Sequence, residues 1–264
     1  MMMEVAIKMN ELLRAHILKW FEKGKRYDGR KLDEFRPVSV EYGVTKNAEG
    51  SARVKIGDTE VIAGVKLAVE KPYPDTPKEG TLMVGTELLP LSSPDFEAGP
   101  PNEESIEIAR VVDRGIRESK AIDTKKLCIA EGEKAWAVIV DICTINSAGN
   151  LLDAAALATV AALRNARFPS YDGKTVDDKS MTDNKLRILR LPVSVTVIKL
   201  GDHLFVDPTV EEEKIIDARL TVAITGSGQI CALQKGGNAT LTVDDVDRMI
   251  ELARAKADEL SKKL

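Results

Sequence analysis

The sequence predicts an α+β fold made of two similar halves. Strand-like runs of β-branched and apolar residues, several of them joined by Gly-Asp turns, are followed by segments with helical periodicity. This order occurs twice, over residues 34–167 and again over residues 190–262. The 264 residues are enough for one large unit, so we expect residues 1–264 to form a single unit with a helical arm at residues 1–24.

The composition is typical of a globular protein that lies inside the cell. Apolar residues make up 44% of the chain and charged residues 30%. No apolar run approaches the ~20 residues that a membrane-spanning helix needs. The first turns contain charged residues, so they lack the apolar core of a signal peptide. We therefore expect a cytoplasmic protein without a membrane partner.

Cysteine and histidine are too few for most metal or nucleophile sites. Cys128, Cys143 and Cys231 lie in apolar strand-like segments without paired spacing, which predicts buried reduced thiols. Neither His16 nor His203 has a Cys or a second His at ligand spacing, which argues against a zinc site. The sequence predicts no metal and no cofactor.

The middle of the chain predicts a buried strand, a tight loop and a buried helix. Residues 138–145 are apolar or β-branched at nearly every position, and turn-forming residues follow from Asn146 to Asn150. The next segment places small and apolar residues on one helical face: Leu152, Ala155, Ala156, Thr159, Ala162 and Leu163. A loop before a helix can bind an anion through its N–H groups, but this one has no basic residue and Asp153 adds a negative charge. A pure packing role and an anion site both stay open.

The first half begins with an amphipathic helix and continues as strands. Apolar residues at three- and four-residue steps predict a helix over residues 1–23 that docks on another surface: Val5, Met9, Leu12, Leu13, His16, Ile17, Trp20 and Phe21. The polar turn Arg26-Tyr-Asp-Gly-Arg30 follows, and it can form internal salt bridges. Strands are predicted within residues 38–69, with a hairpin at Gly57-Asp58, and within residues 80–91.

A helix predicted over residues 102–120 carries a row of arginines. Asn102 is its expected N-cap. Its expected buried side comprises Ile106, Ala109, Val112, Asp113 and Ile116. Arg110, Arg114 and Arg117 recur at positions i, i+4 and i+7. They form either a solvated face paired with Glu103, Glu107 and Asp113, or a row of phosphate contacts.

The second half repeats the strand-then-helix order. Residues 168–187 are polar and predict a linker between the halves. Strands are predicted at residues 192–198, 204–206, 215–225 and 229–234, with an acidic run at residues 211–213. A closing helix is expected to begin at Thr242, with Val243, Val246, Ile250, Ala253 and Ala257 as its apolar stripe.

The order of these segments resembles the RNase PH family, and most closely the RNase PH-like subunits of the archaeal exosome. The resemblance covers about residues 20–260. It rests on Arg26-Tyr-Asp-Gly-Arg30, the hairpin that begins Gly50-Ser-Ala, the helix Ala109-Arg-Val-Val-Asp-Arg-Gly-Ile-Arg117, the Ala-rich central helix, and Asp207-Pro-Thr before the acidic run. It implies an RNase PH-like fold of the ribosomal protein S5 domain 2-like type, and phosphorolysis of RNA from its 3′ end. In that reaction arginines hold two anions together while charge builds between them.

The chain departs from active members of the family at three places. A basic pair ahead of the arginine-bearing helix is here Glu103-Glu104. The phosphate-binding loop Gly-Ser/Thr-Arg is here Gly149-Asn-Leu151. The catalytic Asp of Ala-Asp-Met-Pro is here replaced by Arg219 in Ala218-Arg-Leu-Thr221. Each change removes a group that the mechanism needs, so the resemblance implies a non-catalytic subunit without catalytic residues of its own.

The resemblance also implies partners. Three copies of such a chain alternate with three catalytic sister subunits in a hetero-hexameric ring around a channel for single-stranded RNA, and RNA-binding cap proteins join it. Arg110, Arg114 and Arg117 are then candidate RNA contacts, with Arg110 and Arg114 the better candidates.

Two alternatives belong to the enzyme class. In the first, the chain itself degrades RNA by phosphorolysis, with Asp207 or another Asp of the second half in place of the missing carboxylate. In the second, it is a small-molecule kinase or another enzyme of similar left-handed βαβ topology. For the second, the sequence has neither a Gly-rich nucleotide loop nor a carboxylate pair for Mg²⁺.

Overall fold

The computed structural model describes residues 2–264, with side chains from residue 8 onward, so the predicted apolar position Val5 lies outside the described side chains. Its helices are α1 (Met2–Phe21), α2 (Glu103–Glu118), α3 (Leu151–Asn165), α4 (Val210–Glu213) and α5 (Val243–Ser261). Its strands are β1 (Val38–Tyr42), β2 (Gly50–Ile56), β3 (Thr59–Glu70), β4 (Thr81–Glu87), β5 (Cys128–Ala130), β6 (Lys134–Asn146), β7 (Arg167–Tyr171), β8 (Val176–Lys185), β9 (Pro192–Leu200), β10 (His203–Val206), β11 (Ala218–Thr225) and β12 (Ile230–Gly236).

The first half forms a sheet with strand order β1-β2-β3-β6-β4, and β5 pairs with β6. All pairs are antiparallel except β4 with β6, which are joined by a crossover that contains α2. The Gly57-Asp58 turn connects β2 to β3, as predicted. The central strand β6 begins at Lys134, and its core positions Val138, Val140 and Ile142 are fully buried.

The second half forms an antiparallel sheet of order β10-β9-β11-β12. The central strand β9 is buried along almost its entire length, which fits its run of β-branched and apolar residues. The predicted turn at Gly201-Asp202 joins β9 to β10. The expected α+β architecture with two strand-and-helix halves is therefore confirmed.

Helices α2 and α3 pack between the two sheets. Helix α3 contacts β2 and β3 of the first sheet and β9 of the second, so it is buried almost all round and not on one face as predicted. Leu152, placed on the predicted buried face, is only half-buried. Alanines permit this packing because they let the backbones approach closely. At Gly50 in β2, an added Cβ would lie 2.4 Å from the carbonyl oxygen of Ala162.

The predicted buried faces of α2 and α5 are partly wrong. Asn102 caps α2 as predicted, with its Oδ1 accepting the Ser105 N–H at 2.9 Å. Ile106, however, is 47% exposed on the same side as the arginines, and Ile108 is buried in its place. In α5, Thr242 is the N-cap, but Val243 is 80% exposed because it lies in the first turn, and Met249 is buried further along. A spacing of three and four residues is compatible with more than one buried face of a helix. The position of the sheet on which the helix packs determines which face is buried.

The predicted linker at residues 168–187 is wrong. Strands β7 and β8 pair there as an antiparallel two-stranded ribbon. Most side chains of β8 are exposed, so no apolar alternation marked it as a strand. The three cysteines are free thiols, as expected, but each is half-buried and not fully buried.

Helix α1 docks on the second half. Ile17 and Phe21 pack with Leu200 and Phe205, and Arg14 Nη2 donates to Asp217 Oδ2 at 3.0 Å. The predicted stripe is wider than the contact, since three of its members are exposed: Met9, Leu12 and His16. Among the residues that the structure describes, no helix combines the length and apolar character needed to span a membrane.

Candidate functional site

The Arg26-Tyr-Asp-Gly-Arg30 turn attaches the segment after α1 to the second half. Arg26 is fully buried and donates to the Glu212 carboxylate and to the carbonyl oxygens of Val206 and Asp207. Arg30 pairs with Asp28 inside the turn at 2.7 Å, so the predicted internal salt bridge exists. The turn is therefore mainly a structural connection.

Asp207 is the centre of that connection. Its fully buried carboxylate accepts hydrogen bonds from Arg30 Nη1 at 2.6 Å, from Arg36 Nη2 at 2.7 Å and Nε at 2.8 Å, and from Asn150 Nδ2 at 3.0 Å. Burial alone would raise the pKa of Asp207, but the hydrogen bonds and charges of Arg36 and Arg30 outweigh it and lower that pKa below 3.8. A carboxylate bound in this way has no free oxygen for a substrate, which argues against Asp207 as a replacement catalytic acid.

The three places where the sequence departs from active members converge on one cavity. It has a volume of about 210 Å³. Its lining includes Glu104 from α2, Asn150 and Leu151 from the loop after β6, and Arg219 from β11. Glu107 and Glu213 complete its charged wall. Spacing alone did not predict this convergence, because the contributing segments are far apart in the chain.

The charges of the cavity are mostly negative, and its arginine is already paired. Arg219 Nη2 donates to Glu107 Oε2 at 2.5 Å. Burial of the Glu213 carboxyl group, together with the charge of Glu104, raises the pKa of Glu213 to about 7. Burial likewise raises the pKa of Glu104, and the charges of Glu107 and Asp95 add to this effect. The cavity thus presents carboxyl groups where phosphate chemistry needs cations.

In the loop before α3, a backbone N–H group that could bind an anion already binds a carboxylate of the same chain. Gly149 has a φ of +91°, and an added Cβ would lie 2.4 Å from the carbonyl oxygen of Pro208. Asn150 follows in the left-handed region, and its N–H donates to Glu213 Oε1 at 2.9 Å. An anion at this N–H would meet Glu213 first. The acidic run that contains Glu213 was evident in the sequence, but nothing in its pattern indicated this contact.

Asp153 does not face the loop as a solvent-exposed charge. It is buried, and its carboxyl group accepts the Thr196 N–H at 2.8 Å and Asn150 Nδ2 at 3.1 Å. Burial raises the pKa of Asp153 to about 7, against the effect of the hydrogen bonds from Thr196 and Asn150. Asp153 therefore joins α3 to β9.

The arginine row on α2 is exposed, but its members differ. Arg117 donates to both oxygens of Asp113, at 2.7 and 3.0 Å, and to the Leu82 carbonyl oxygen at 3.0 Å. The hydrogen bonds to Asp113 raise the pKa of Arg117. Arg114 donates to Gln234 Oε1 at 3.1 Å. Arg110 has no hydrogen-bond or ion-pair partner among the described residues.

Arg110 and Arg114 line the same shallow groove, of about 370 Å³, between α2 and β12. Of the pairings expected for a solvated face, the one with Asp113 is present, whereas Glu107 pairs with Arg219 instead. Across the described residues, no group of three or more His, Cys, Asp or Glu side chains is arranged to hold a metal ion.

The chain matches the RNase PH model described as the 3′ exoribonuclease family, domain 1, over residues 34–169. It matches domain 2 of the same family over residues 190–256.

Proteins similar along nearly the whole chain are exosome components. The exosome complex component Rrp42 of Methanocella arvoryzae is 46% identical over 254 residues, which covers 96% of each chain. That of Thermoplasma acidophilum is 44% identical over 263 residues, covering 100% of this chain and 99% of the relative. A chain in a solved structure of the Archaeoglobus fulgidus exosome with RNA bound to the active site is 45% identical, with a TM-score of 0.90 over 97% of this chain and 98% of that one.

Proposed function

Since this chain belongs to the RNase PH family of 3′ exoribonucleases, we propose that it is a non-catalytic subunit of an archaeal-type exosome, a phosphorolytic 3′→5′ exoribonuclease ring. The observation that carries the proposal is the acidic cavity formed by the three departures from the active pattern. Asn150, Glu104 and Arg219 line it together, and Arg219 is paired with Glu107.

Phosphorolysis requires cations in such a cavity. Inorganic phosphate and the phosphate of the last RNA linkage are both anions, and the charge between them grows in the transition state. Glu104 and Glu107 would repel both groups, and the Asn150 N–H already donates to Glu213. Charged contacts to a transferring phosphoryl group are each worth on the order of 10²-fold in rate, so their combined absence supports a chain without its own activity.

The proposed role is to scaffold the active sister subunit and to contribute RNA contacts at the boundary between subunits. The ring would contain three copies of each subunit, with RNA-binding cap proteins as further partners, and it would work in the cytoplasm on single-stranded RNA. The exosome names of relatives that match over almost the entire chain support this assembly.

The proposed RNA contacts are the exposed arginines of α2. Arg110 and Arg114 line one groove, and Arg110 has no partner among the described residues, so both can reach a phosphate without breaking a strong ion pair. Arg117 is proposed as the weaker contact, since Asp113 already binds its guanidinium group in a bidentate pair.

The experiment follows release of nucleoside diphosphates from labelled poly(A) in the presence of inorganic phosphate. This chain alone, its active sister alone and the mixture are compared, each also without phosphate. We expect no release from this chain alone and strong release from the mixture. Phosphate-dependent release from this chain by itself would contradict the proposal.

A further inference from the structure

The solvent-facing side of α1 carries aromatic and basic side chains that the fold does not use for packing. Ile17 and Phe21 bind α1 to the second half, so another side of the helix remains open. Residues three, four and seven positions apart share one face of a helix, and the segment after α1 folds back onto that face. Five residues form this surface, which we call the aromatic-lysine patch: His16, Lys19, Trp20, Lys23 and Tyr27.

Contacts among the three rings hold the patch in one arrangement. Trp20 Nε1 donates to His16 Nε2 at 3.3 Å. The ring centroid of Tyr27 lies 5.7 Å from that of His16 and 6.2 Å from that of Trp20, both in edge-to-face geometry. Tyr27 is nevertheless 71% exposed. The rings are therefore ordered before any partner arrives, and a large apolar surface of this kind marks a binding site.

The charge of the patch is positive, although the whole chain has a net charge of −4. Lys19 and Lys23 are exposed, and neither forms an ion pair among the described residues. Lys23 Nζ lies 5.1 Å from the centroid of the Trp20 ring, so a cation lies directly beside the aromatic surface. The adjacent carboxylate of Asp28 is already bound by Arg30. The patch thus combines ordered rings with free positive charge.

We propose that the aromatic-lysine patch binds single-stranded RNA. Single strands bind to aromatic side chains on which their bases stack, next to cations that contact the phosphates. Tyr27 and Trp20 would stack with bases, and Lys19 and Lys23 would contact phosphates. A duplex keeps its bases stacked on one another, so the patch fits a single strand. The choice of RNA rests on the proposed function, but the surface is separate from the arginine row, which lies on α2 and has no aromatic ring.

A protein partner is the occupant against which this proposal must be tested. Met9 and Leu12 continue the exposed side of α1 beyond the patch, and they are 66% and 65% exposed. They have neither charge nor an aromatic ring. A partner protein would bury these two residues together with the patch, whereas RNA needs only the rings and the lysines.

Trp20 itself reports binding, so its signal is distinct from that of RNA bound at the arginine row. The chain has two tryptophans, and Trp136→Phe leaves Trp20 as the only one while it keeps a ring against Phe168 and Tyr171. Single-stranded oligoadenylate is titrated into this full-length chain. We expect saturable quenching of Trp20 fluorescence. An oligomer of abasic ribose phosphates of equal length should bind about tenfold more weakly, because it has no base to stack.

Tyr27→Ala, made in the same background, isolates the stacking contact. It should weaken oligoadenylate binding about tenfold and leave binding of the abasic oligomer unchanged. Tyr73→Ala is the matched control, because Tyr73 is also exposed, at 57%, but lies in the loop after β3. It should leave both affinities unchanged.

Lys19→Glu with Lys23→Glu isolates the phosphate contacts. This double variant should weaken the binding of both oligomers about tenfold, and it should lower the slope of log affinity against log salt concentration by one to two, about one per lost contact. The control is Lys125→Glu with Lys126→Glu, which reverses two exposed lysines before β5 and should leave the affinity unchanged.

Several results would overturn the proposal. Absence of saturable quenching would exclude the patch as an RNA site, and equal affinity for the two oligomers would exclude stacking. Equal weakening by the two lysine variants would show diffuse attraction. If Met9→Ser with Leu12→Ser weakens oligoadenylate binding as much as Tyr27→Ala does, the surface is a general apolar one that fits a protein partner. Thermal unfolding verifies that each variant remains folded. The phosphorolysis assay of the mixture does not depend on any of these results, so the proposed function can hold where this proposal fails.

Discussion

Asp153 and Asp207 are buried aspartates that both contact Asn150, yet their surroundings move their pKa values in opposite directions. Asp207 faces Arg30 and Arg36, and it remains ionised. Asp153 has only neutral donors, and the nearby charge of Asp207 adds to the effect of burial. At the scale of the residue, the number of facing cations therefore decides which buried acid remains charged.

Replacing Asp153 with asparagine should reduce the pH dependence of folding stability. The pKa of Asp153 rises from 3.8 to about 7 on folding, so its contribution to stability is full below the unfolded value and is lost as pH rises to about 7. In Asp153→Asn, the difference in unfolding free energy between about pH 5 and about pH 8 should shrink by about 3 kcal/mol. Urea unfolding at both pH values measures it.

The exposed variant Asp258→Asn is the control for Asp153→Asn and should keep the wild-type pH dependence. An unchanged dependence in Asp153→Asn would contradict the assignment of a proton to that carboxyl group in the folded state.

At the scale of the element, α2 has two chemically different ends. Its first turn carries Glu103 and Glu104, and its later turns carry the arginines. Carboxylates near the N-terminus of a helix and cations near its C-terminus interact favourably with the helix dipole. This order of charges therefore also stabilises α2. Glu107 lines both the acidic cavity and the groove of Arg110 and Arg114, so the two surfaces adjoin along α2.

Reversing two charges in the arginine row should weaken RNA binding by the assembled ring. We expect Arg110→Glu with Arg114→Glu to reduce affinity for single-stranded RNA about tenfold or more, and to lower the slope of log affinity against log salt concentration by one to two, about one per lost phosphate contact. Fluorescence anisotropy at several salt concentrations measures both quantities. Arg248→Glu with Arg254→Glu on the exposed side of α5 is the control. If both double variants bind alike, the arginine row is only a solvated face.

The contact between β2 and α3 should not tolerate a methyl group. In Gly50→Ala the new Cβ would lie 2.4 Å from the Ala162 carbonyl oxygen and 2.6 Å from the backbone of Ala166, so strand and helix must separate. We expect a loss of about 3 kcal/mol of unfolding free energy. Gly226→Ala, where nothing lies within 4 Å, should change stability by no more than about 0.5 kcal/mol. Similar losses in both variants, measured by denaturant unfolding, would contradict this account.

At the scale of the whole molecule, the sequence predicts elements that have a clear local pattern and misses those that depend on tertiary packing. The Gly57-Asp58 hairpin and the strand-loop-helix around Asn150 follow from local pattern, and the structure contains both. In the ribbon of β7 and β8, almost all side chains of β8 are exposed, whereas β7 packs on Trp136 through Phe168 and Tyr171, so no apolar alternation runs through both strands. The burial of α3 on nearly all sides depends on a second sheet that covers it, which no local pattern indicates.

The candidate site was predictable only in part. The resemblance identified Glu104, Asn150 and Arg219 as positions of interest, and all three line one cavity. The contact of Glu213 with the Asn150 N–H joins residues 63 positions apart, and neither has a local feature that indicates the other. Long-range side-chain pairing of this kind depends on the packing of the two halves and leaves no periodic trace in the chain.

The arginine contacts of Asp207 and Glu212 also constrain the order of events on the ribosome. Arg26, Arg30 and Arg36 are synthesised about 180 residues before the carboxylates that neutralise them. Until those carboxylates have left the exit tunnel, Arg26 and Arg36 lack their counterions, Arg30 has only Asp28, and the loop at Asn150 lacks Asp207. A chain truncated before Asp207 therefore cannot form the ion pairs that join the two halves.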